Sequence, residues 1–365
     1  MNIKKRRIIC GILVTVFLSL LLSACGVNDR QNRETPGAPT GDIRQQSREE
    51  PLPKVDSTDE PEDNKGDDNS GEEAQKPKLP EALGAEEGKE PSLKVYITEE
   101  SQVKDMKFEE YVAGVVAGEI KNDWPVEAIK AQAIIARTFV LQFIEEKGQS
   151  KYEDAHVSTD IEEAQAWNAG EVNDTIRQAV EDTRGQVIVY DGQFARTWFH
   201  SNAGGKTATP KEGLNYKDEE PPYIQVVESP DTGEAVAEDA KNWTAKFPKD
   251  KVIAAMNEAG KPIKGLNSIA IGEQGPSGRA VTIKVDDTEI SAAELRLALG
   301  TTDMRSTLID KIALEGNNVV MTGRGYGLGV GMSQWGAYNM ANDKKSAEDI
   351  INHYFKDIDV VKMWD

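Results

Sequence analysis

One glutamate lies within an apolar helical stripe, where its carboxyl group could act as a general acid. Phe108, Val112 and Val115 recur at helical spacing. A step of about 100° per residue places Glu119 in the centre of their stripe, near the end of the helix. Burial and the helix dipole both disfavour the charged form there, so the pKa should be raised and the group could donate a proton at neutral pH. Spacing equally allows that Glu119 reaches solvent or pairs with Arg137.

Polar residues that could bind a substrate lie on the next helix and on a later loop. A second helix is predicted from Pro125 onward, and Gln132 and Arg137 lie on opposite edges of its apolar stripe. Edge positions suit half-buried groups that face a cleft, although ordinary boundary residues also occupy them. Paired glycines in the loop permit a ligand to approach the backbone, or simply form a tight turn. The loop residues in question are His200, Ser201, Gly204, Gly205 and Lys206.

A glycine-rich segment near the C-terminus has a different periodicity. In "GRGYGLGVGMSQWGA", glycine occupies every second position from Gly323 to Gly331. The pattern matches neither a dinucleotide fingerprint nor a P-loop. Alternating glycines remove the side chains from one face of an extended chain, so a substrate chain or another backbone packs there. Ser333 is predicted to cap the following helix, and Ser346 with Asp349 to cap the last one.

Composition excludes several classes of function. The 365 residues carry a formal net charge of −20, which argues against binding nucleic acid. The chain has two cysteines, Cys10 and Cys25, and three widely spaced histidines. Disulfides, cysteine-based zinc sites and a cysteine nucleophile are therefore not expected in the exported part, and we predict no metal or cofactor. No nucleophile-elbow motif supports a serine hydrolase.

The first 92 residues are predicted to be an export signal and a linker. Residues 1–25 combine Lys4 to Arg7, an apolar run and the ending "LSAC", which resembles a bacterial lipobox with Cys25 as the lipid-modified anchor. The protein would then lie on the extracytoplasmic face of the membrane; an uncleaved signal anchor is the alternative. Residues 26–92 contain 18 acidic and 9 basic side chains and no aromatic residue, a composition typical of a disordered tether.

Residues 93–358 are predicted to form the folded unit, an α+β domain. Leu93 to Thr98 alternates like a strand, and Asp191-Gly192 indicates a hairpin between strands at 187–190 and 194–199. Residues from about 228 to 318 contain short helical and strand patterns in which no chemistry is apparent. We interpret them as a smaller α+β insertion.

Four motifs in order resemble the domain shared by stage II sporulation protein D and the LytB amidase enhancers. They are "EEYVAGVVAGEIKNDWPVEAIKAQAIIARTF", "RTWFHSNAGGKT", "PPYIQVVESPD" and "GVGMSQWGA". The resemblance implies a peptidoglycan lytic transglycosylase that cuts peptide-free glycan strands between N-acetylmuramic acid and N-acetylglucosamine, as in the wall remodelling of sporulation. It implies Glu119 as catalytic acid. Substrate binding falls on Gln132, Arg137, the loop from His200 to Lys206, Ser333 and Gln334.

Two departures from the family pattern matter. Many members have a histidine where this chain has Leu328, which puts full activity in doubt. Some members bind zinc through Cys and His in the region around residues 152–168, where this chain has only His156. The alternative function is therefore a non-catalytic, glycan-binding enhancer of a wall amidase. A lipoprotein that only bridges wall and membrane is a third hypothesis. The expected partners are glycan strands, a wall amidase and a membrane partner of the engulfment machinery.

Overall fold

The computed structural model describes residues 75–365, which form a mixed helical and sheet structure. The predicted signal, the anchor Cys25 and the linker up to residue 74 lie outside the described residues. The helices of the described part are α1 (Phe108–Glu119), α2 (Val126–Lys147), α3 (Asp174–Asp182), α4 (Pro210–Leu214), α5 (Glu238–Lys241), α6 (Lys249–Glu258), α7 (Ala292–Leu299), α8 (Gln334–Asn342) and α9 (Ala347–Tyr354).

The strands are short and form several small sheets. They are β1 (Ser92–Ile97), β2 (Gln102–Lys107), β3 (Val157–Ser158), β4 (Gln186–Tyr190), β5 (Gln193–Phe194), β6 (Phe199–His200), β7 (Asn242–Pro248), β8 (Ile269–Ile271), β9 (Thr282–Val285), β10 (Thr288–Ser291), β11 (Ile309–Glu315), β12 (Asn318–Arg324), β13 (Met332–Ser333) and β14 (Asp359–Lys362). The sheet orders are β2-β1-β3, β10-β9-β8, β11-β12-β7, β13-β6 and β14-β4-β5. This architecture agrees with the predicted α+β class.

Helices α1 and α2 form the centre of the first hydrophobic cluster. The predicted helix ends at Glu119, and its apolar positions Phe108, Val112 and Val115 are fully buried. Helix α2 packs against α1 and contributes Ile129, among others, to the same cluster. Two long helices that bury most of their surface hold the polar groups between them in fixed positions.

A second cluster joins α2 to the C-terminal helices. Parallel pairing of β6 with β13 places the loop after His200 beside the start of α8. Ser333 caps α8 by accepting a hydrogen bond from the backbone of Gly336. Ser346 and Asp349 form a capping box at the start of α9. Both predicted caps are confirmed.

The third cluster lies between Trp243 and Met321. It packs α6 and α7 against the sheet β11-β12-β7 and the sheet β10-β9-β8. Strand β12 begins at Asn318, so the predicted end of the insertion at about residue 318 falls at the start of a strand that completes this sheet.

Two predicted boundaries are wrong. The linker does not extend to residue 92, because Leu79 and Leu83 already pack on the first cluster and Glu90 forms an ion pair with Arg184. The strand predicted over 194–199 is divided into β5 and β6. Thr197 lies between the two strands, and its hydroxyl donates to a main-chain carbonyl of α2. Within residues 75–365, no helix combines the length and the apolar character that a bilayer crossing requires.

Candidate active site

Glu119 is fully buried at the C-terminal end of α1. Its Oε1 accepts a hydrogen bond of 2.7 Å from the backbone N–H of Ala166, and its Oε2 is buried without a hydrogen-bond partner in the protein. Burial raises the pKa of Glu119 to about 8, and the Ala166 bond opposes that rise only in part. The carboxyl group therefore keeps its proton at neutral pH. Because Oε1 already accepts a hydrogen bond, Oε2 is the oxygen that carries it.

Two glutamines from different helices meet beside Glu119. The Nε2 of Gln334, the first residue of α8, lies 3.2 Å from the main-chain carbonyl oxygen of Glu119 and 3.4 Å from Oε1 of Gln132. The Nε2 of Gln132 is buried without a partner in the protein. The predicted residues Glu119, Gln132 and Gln334, which are far apart in sequence, therefore form one cluster.

The structure does not place Arg137 in that cluster. Its guanidinium group is fully buried and forms a forked ion pair with Glu109, in which Nη2 lies 2.6 Å from Oε2. Its remaining N–H groups donate to main-chain carbonyls, including that of Gln186. This geometry is that of a structural ion pair between α1 and α2. The alternative in which Arg137 pairs with Glu119 is not observed.

The loop that begins at His200 is organised by a buried carboxylate. Asp231 accepts hydrogen bonds from the backbone of Ala203 and Gly205 and from the hydroxyl of Ser333, at 2.6, 2.7 and 2.6 Å. Asp231 therefore connects the loop to the start of α8. Asp231 ends the "ESPD" part of a family motif, and no role is predicted for it from the sequence. The one local sign of its importance is an acidic residue next to a serine and a proline, after an apolar run.

His200 is buried and uncharged. Its Nδ1 lies 3.1 Å from the carbonyl oxygen of Val330, so Nδ1 carries the hydrogen and Nε2 is a bare acceptor without a partner in the protein. Burial and the nearby Arg279 lower the pKa of His200 to about 3. A neutral imidazole of this kind can accept a hydrogen bond from a hydroxyl group, but it supplies no positive charge.

The alternating glycines contact protein, and not open space for a substrate. A methyl group at Gly331 would lie 2.0 Å from the carbonyl oxygen of Trp198, and one at Gly329 would lie 2.6 Å from the guanidinium of Arg279. Arg279, which precedes Ala280 of the third cluster, also donates to the carbonyl of Ala203 at 2.6 Å. Of the two explanations for this motif, close packing by other parts of the chain is the one observed.

The other predicted residues occupy varied surroundings. Ser201 is buried, and its carbonyl accepts from the backbone of Trp335. Gly204 has a positive φ of 71° and lies against Leu308. Lys206 is half-buried and pairs with Glu228. Leu328 is buried in the second cluster.

Within residues 75–365, neither metal-ligating side chains nor the cavity described below identifies a site. That part of the chain contains no group of three or more His, Cys, Asp or Glu able to hold a metal ion. A cavity of about 460 Å³ lies between β7 and the segment 302–305, and it includes none of the predicted site residues. The candidate site is therefore the cluster at Glu119.

Comparison with known proteins supports a family assignment. The family model described as "Stage II sporulation protein" matches residues 96–190, which include α1, α2 and the segment that covers Glu119. An uncharacterized protein of Brachyspira hyodysenteriae is 32% identical over 260 residues, which are 71% of this chain and 68% of that protein. The chain belongs to the stage II sporulation protein D family.

Two further relatives have names that refer to different activities. Stage II sporulation protein D of Bacillus amyloliquefaciens is 28% identical over 299 residues, covering 75% of this chain and 81% of the relative. An amidase enhancer of Bacillus subtilis is 25% identical over 285 residues, which are 66% of this chain and 39% of that protein. Family members thus include proteins named for sporulation and one named for enhancing an amidase.

Proposed function

We propose that this protein is a peptidoglycan lytic transglycosylase with Glu119 as its single acid and base. The substrate would be a glycan strand without stem peptides, cut between N-acetylmuramic acid and N-acetylglucosamine. The observation that carries the proposal is the surroundings of Glu119: a fully buried carboxyl group with a pKa of about 8, no cation in contact and an unpartnered Oε2. A buried, protonated carboxyl group with so few partners adds little to the stability of the fold, and it is suited to donating its proton.

One carboxyl group is sufficient for this reaction. Hydrolytic glycosidases use two carboxyl groups, because water or a nucleophile must be activated as well as the leaving group. In the proposed reaction, Glu119 protonates the glycosidic oxygen as the C1–O bond breaks. The resulting carboxylate takes the proton from the C6 hydroxyl of the same sugar as that oxygen attacks C1. The products are a 1,6-anhydro end and a new free chain end, with Glu119 protonated again.

Neighbouring amides fit the positioning of sugar hydroxyls. The free Nε2 of Gln132 is a donor, and Gln334 holds both Gln132 and the end of α1 in place. His200, being neutral, is suited to accept a hydroxyl rather than to stabilise charge. Arg137 has no part in this scheme, because Glu109 and main-chain carbonyls occupy its N–H groups.

The test is digestion of glycan strands from which an amidase has removed the stem peptides, followed by mass spectrometry. The unmodified protein should release 1,6-anhydro products, and Glu119→Gln should reduce the rate by about 10²- to 10⁴-fold. Glu110→Gln, in the first turn of the same helix, is the matched control and should leave the rate unchanged. Equal rates for Glu119→Gln and the unmodified protein would exclude the proposed role.

A second candidate is a glycan-binding protein that stimulates a wall amidase without cutting glycan itself. The similarity to an amidase enhancer and the complete burial of Glu119 favour it. In that case the purified protein would bind glycan and accelerate an amidase while releasing no anhydro sugar. The same digest, repeated with an amidase and intact wall, separates the two candidates.

The proposed location is the outer face of the cell membrane, with Cys25 as lipid anchor. Labelled fatty acid should be incorporated into the unmodified protein and not into Cys25→Ala. Incorporation that survives this change would refute Cys25 as the lipid anchor, and no incorporation into the unmodified protein would favour an uncleaved signal anchor.

A further inference from the structure

A short segment between β3 and α3 lies directly over Glu119. We call residues 165–168 the strap. The backbone N–H of Ala166 donates to Oε1 of Glu119 at 2.7 Å, and the backbone N–H of Asn168 donates to the carbonyl of Gly114 at 2.9 Å. The strap has no regular secondary structure, so hydrogen bonds of this kind are what hold it on α1. No substrate can contact Glu119 while the strap stays in this position.

Two glycines on α1 form the seat of the strap. A methyl group at Gly118 would lie 2.7 Å from backbone atoms of Ala166 and Trp167. A methyl group at Gly114, one turn earlier, would lie 2.2 Å from Nε1 of Trp167. Both contacts are too short for a real side chain, so the strap can approach α1 only because neither position has a Cβ.

The polar atoms between the strap and the helices are incompletely satisfied. Four buried polar atoms have no hydrogen-bond partner within residues 75–365: Oε2 of Glu119, Nε2 of Gln132, Oε1 of Gln165 and Nε1 of Trp167. Buried polar groups are normally paired, because an unmade hydrogen bond costs free energy. Such a group of donors and acceptors matches a ligand rich in hydroxyl and amide groups.

Gln165 is positioned close to the two helical members of this group. Its Nε2 lies 3.4 Å from the carbonyl of Ala136, which is one turn beyond Gln132 on α2. The next residue of the strap, Ala166, contacts Glu119 directly. Gln165 thus contacts α2 one turn after Gln132, and its neighbour in the strap contacts Glu119.

We infer that the strap is a moving part of the substrate site: it lifts from its glycine seat to admit a glycan strand, and Gln165 and Trp167 then bind sugar hydroxyl or acetamido groups. This inference rests on the proposed function for the identity of the ligand. It assigns two substrate-contact residues, an acceptor and a donor, on an element outside the predicted site. Burial of Glu119 in the free protein is then the closed state of the site.

The motion is tested by hydrogen exchange with mass spectrometry on full-length Glu119→Gln, whose amide oxygen can still accept from Ala166. Without glycan, peptides that contain the strap should exchange by local opening much faster than the core of α2. Amidase-treated glycan, at concentrations where binding is measured independently, should change the exchange of the strap. Unchanged exchange of the strap in the glycan-bound protein would overturn the inference.

The contacts are tested by affinity in the same Glu119→Gln background. Gln165→Met and Trp167→Phe each remove one polar group while keeping most of the apolar volume. Each should weaken glycan binding by about three- to tenfold, as expected for one hydrogen bond. Trp167→Phe should leave the melting temperature nearly unchanged, because the indole N–H makes no hydrogen bond within the described residues. Gln142→Met, at a half-buried position near the end of α2, is the matched control and should bind normally. Normal affinity in both strap variants would refute the assigned contacts.

A single methyl group tests the seat. Gly118→Ala should push the strap away from α1 and lower the pKa of Glu119 toward that of an ordinary glutamate, because water would reach the carboxyl group. Since a buried alanine could also destabilise α1, the unfolding midpoint is measured in parallel. A folded Gly118→Ala protein with an unchanged Glu119 pKa and slow strap exchange would contradict a displaceable strap.

The outcomes separate this inference from the proposed function. Glycan-dependent changes in the strap, without anhydro product from the unmodified protein, would retain the strap and exclude the transglycosylase. Anhydro product, combined with unchanged exchange of the strap and normal affinity of the strap variants, would retain the transglycosylase and exclude the strap. Absence of glycan binding would exclude both.

Discussion

Helix α1 has a buried glutamate in its first turn and another at its end, and the two have opposite surroundings. Glu109 accepts from the guanidinium of Arg137, from the backbone of Gly185 and from the indole of Trp364. Glu119 accepts one hydrogen bond, from the backbone of Ala166, and contacts no cation. Both side chains are buried on the same helix, so residue type and burial do not distinguish them.

The difference shows how partners decide what a buried carboxyl group does. Glu109 joins α1 to α2 and to the C-terminal segment through its ion pair with Arg137 and the hydrogen bonds that it accepts. Glu119 has too few donors to offset its loss of hydration, so burial raises its pKa to about 8. The first arrangement stabilises the fold, and the second preserves a proton that can be transferred.

The largest expected effect on stability comes from removing the cation beside Glu109. Arg137→Met leaves that carboxylate buried beside an apolar side chain and should reduce the free energy of unfolding by about 3–5 kcal/mol. Denaturant titration measures it. Adding Glu109→Gln should recover part of the loss, because no unpaired charge remains. A loss below about 1 kcal/mol, combined with weaker glycan binding, would instead support the original prediction that Arg137 binds substrate.

Glu119→Gln should stabilise the protein, by an amount that grows as the pH rises above about 4.5. The pKa is about 8 in the folded protein and near 4.5 when unfolded, so the folded state binds more protons between these values. The free energy of unfolding therefore falls as pH rises through that window. Glu119→Gln removes this loss. Its melting temperature should match the unmodified protein at pH 4 and exceed it increasingly up to about pH 8. Parallel curves across this range would contradict the raised pKa.

How much of this contrast could be predicted depends on the range of the interactions. Helical periodicity is local, so the positions of Phe108, Val112 and Val115 predicted a helix that ends near Glu119. They left the burial of Glu119 and its exposure to solvent equally open, and the contacts of the folded chain decide for burial. The ion pair of Arg137 depends on how α1 crosses α2. For that reason Arg137 was interpreted as an edge residue, whereas the structure buries it completely.

The same limit applies to the glycine-rich segment and to the strap. Alternation predicted that something packs closely from Gly323 to Gly331, but the partners lie far away in sequence: Trp198 for Gly331 and Arg279 for Gly329. The strap has no periodic pattern at all, and its position becomes apparent only from the contacts that it makes on α1.

A third buried carboxylate, Asp231, extends the comparison, and its removal should have an intermediate effect on stability. Within residues 75–365, Asp231 has no cation in contact. It accepts from the backbone of Ala203 and Gly205 and from the hydroxyls of Ser229 and Ser333, and so resembles Glu109 in having several donors. Asp231→Asn turns one acceptor oxygen into an N–H that faces another donor, and should cost about 2 kcal/mol of stability. Denaturant titration at pH 7 measures the size of this loss. Asp343→Asn on the surface is the control. A neutral effect of Asp231→Asn would show that donors alone do not define the structural class.

The smallest expected effect compares one tryptophan near each glutamate. The indole N–H of Trp364 donates to Glu109 at 3.0 Å, whereas that of Trp167, in the strap over Glu119, has no partner in the protein. Trp364→Phe should therefore destabilise the protein by at least about 1 kcal/mol more than Trp167→Phe, because only the former breaks a hydrogen bond to a charged group and opens space in the core. Matched denaturant titrations measure the difference. Equal losses would mean that the indole of Trp167 is already bonded in the free protein, which would remove one of the free donors that distinguish the surroundings of Glu119.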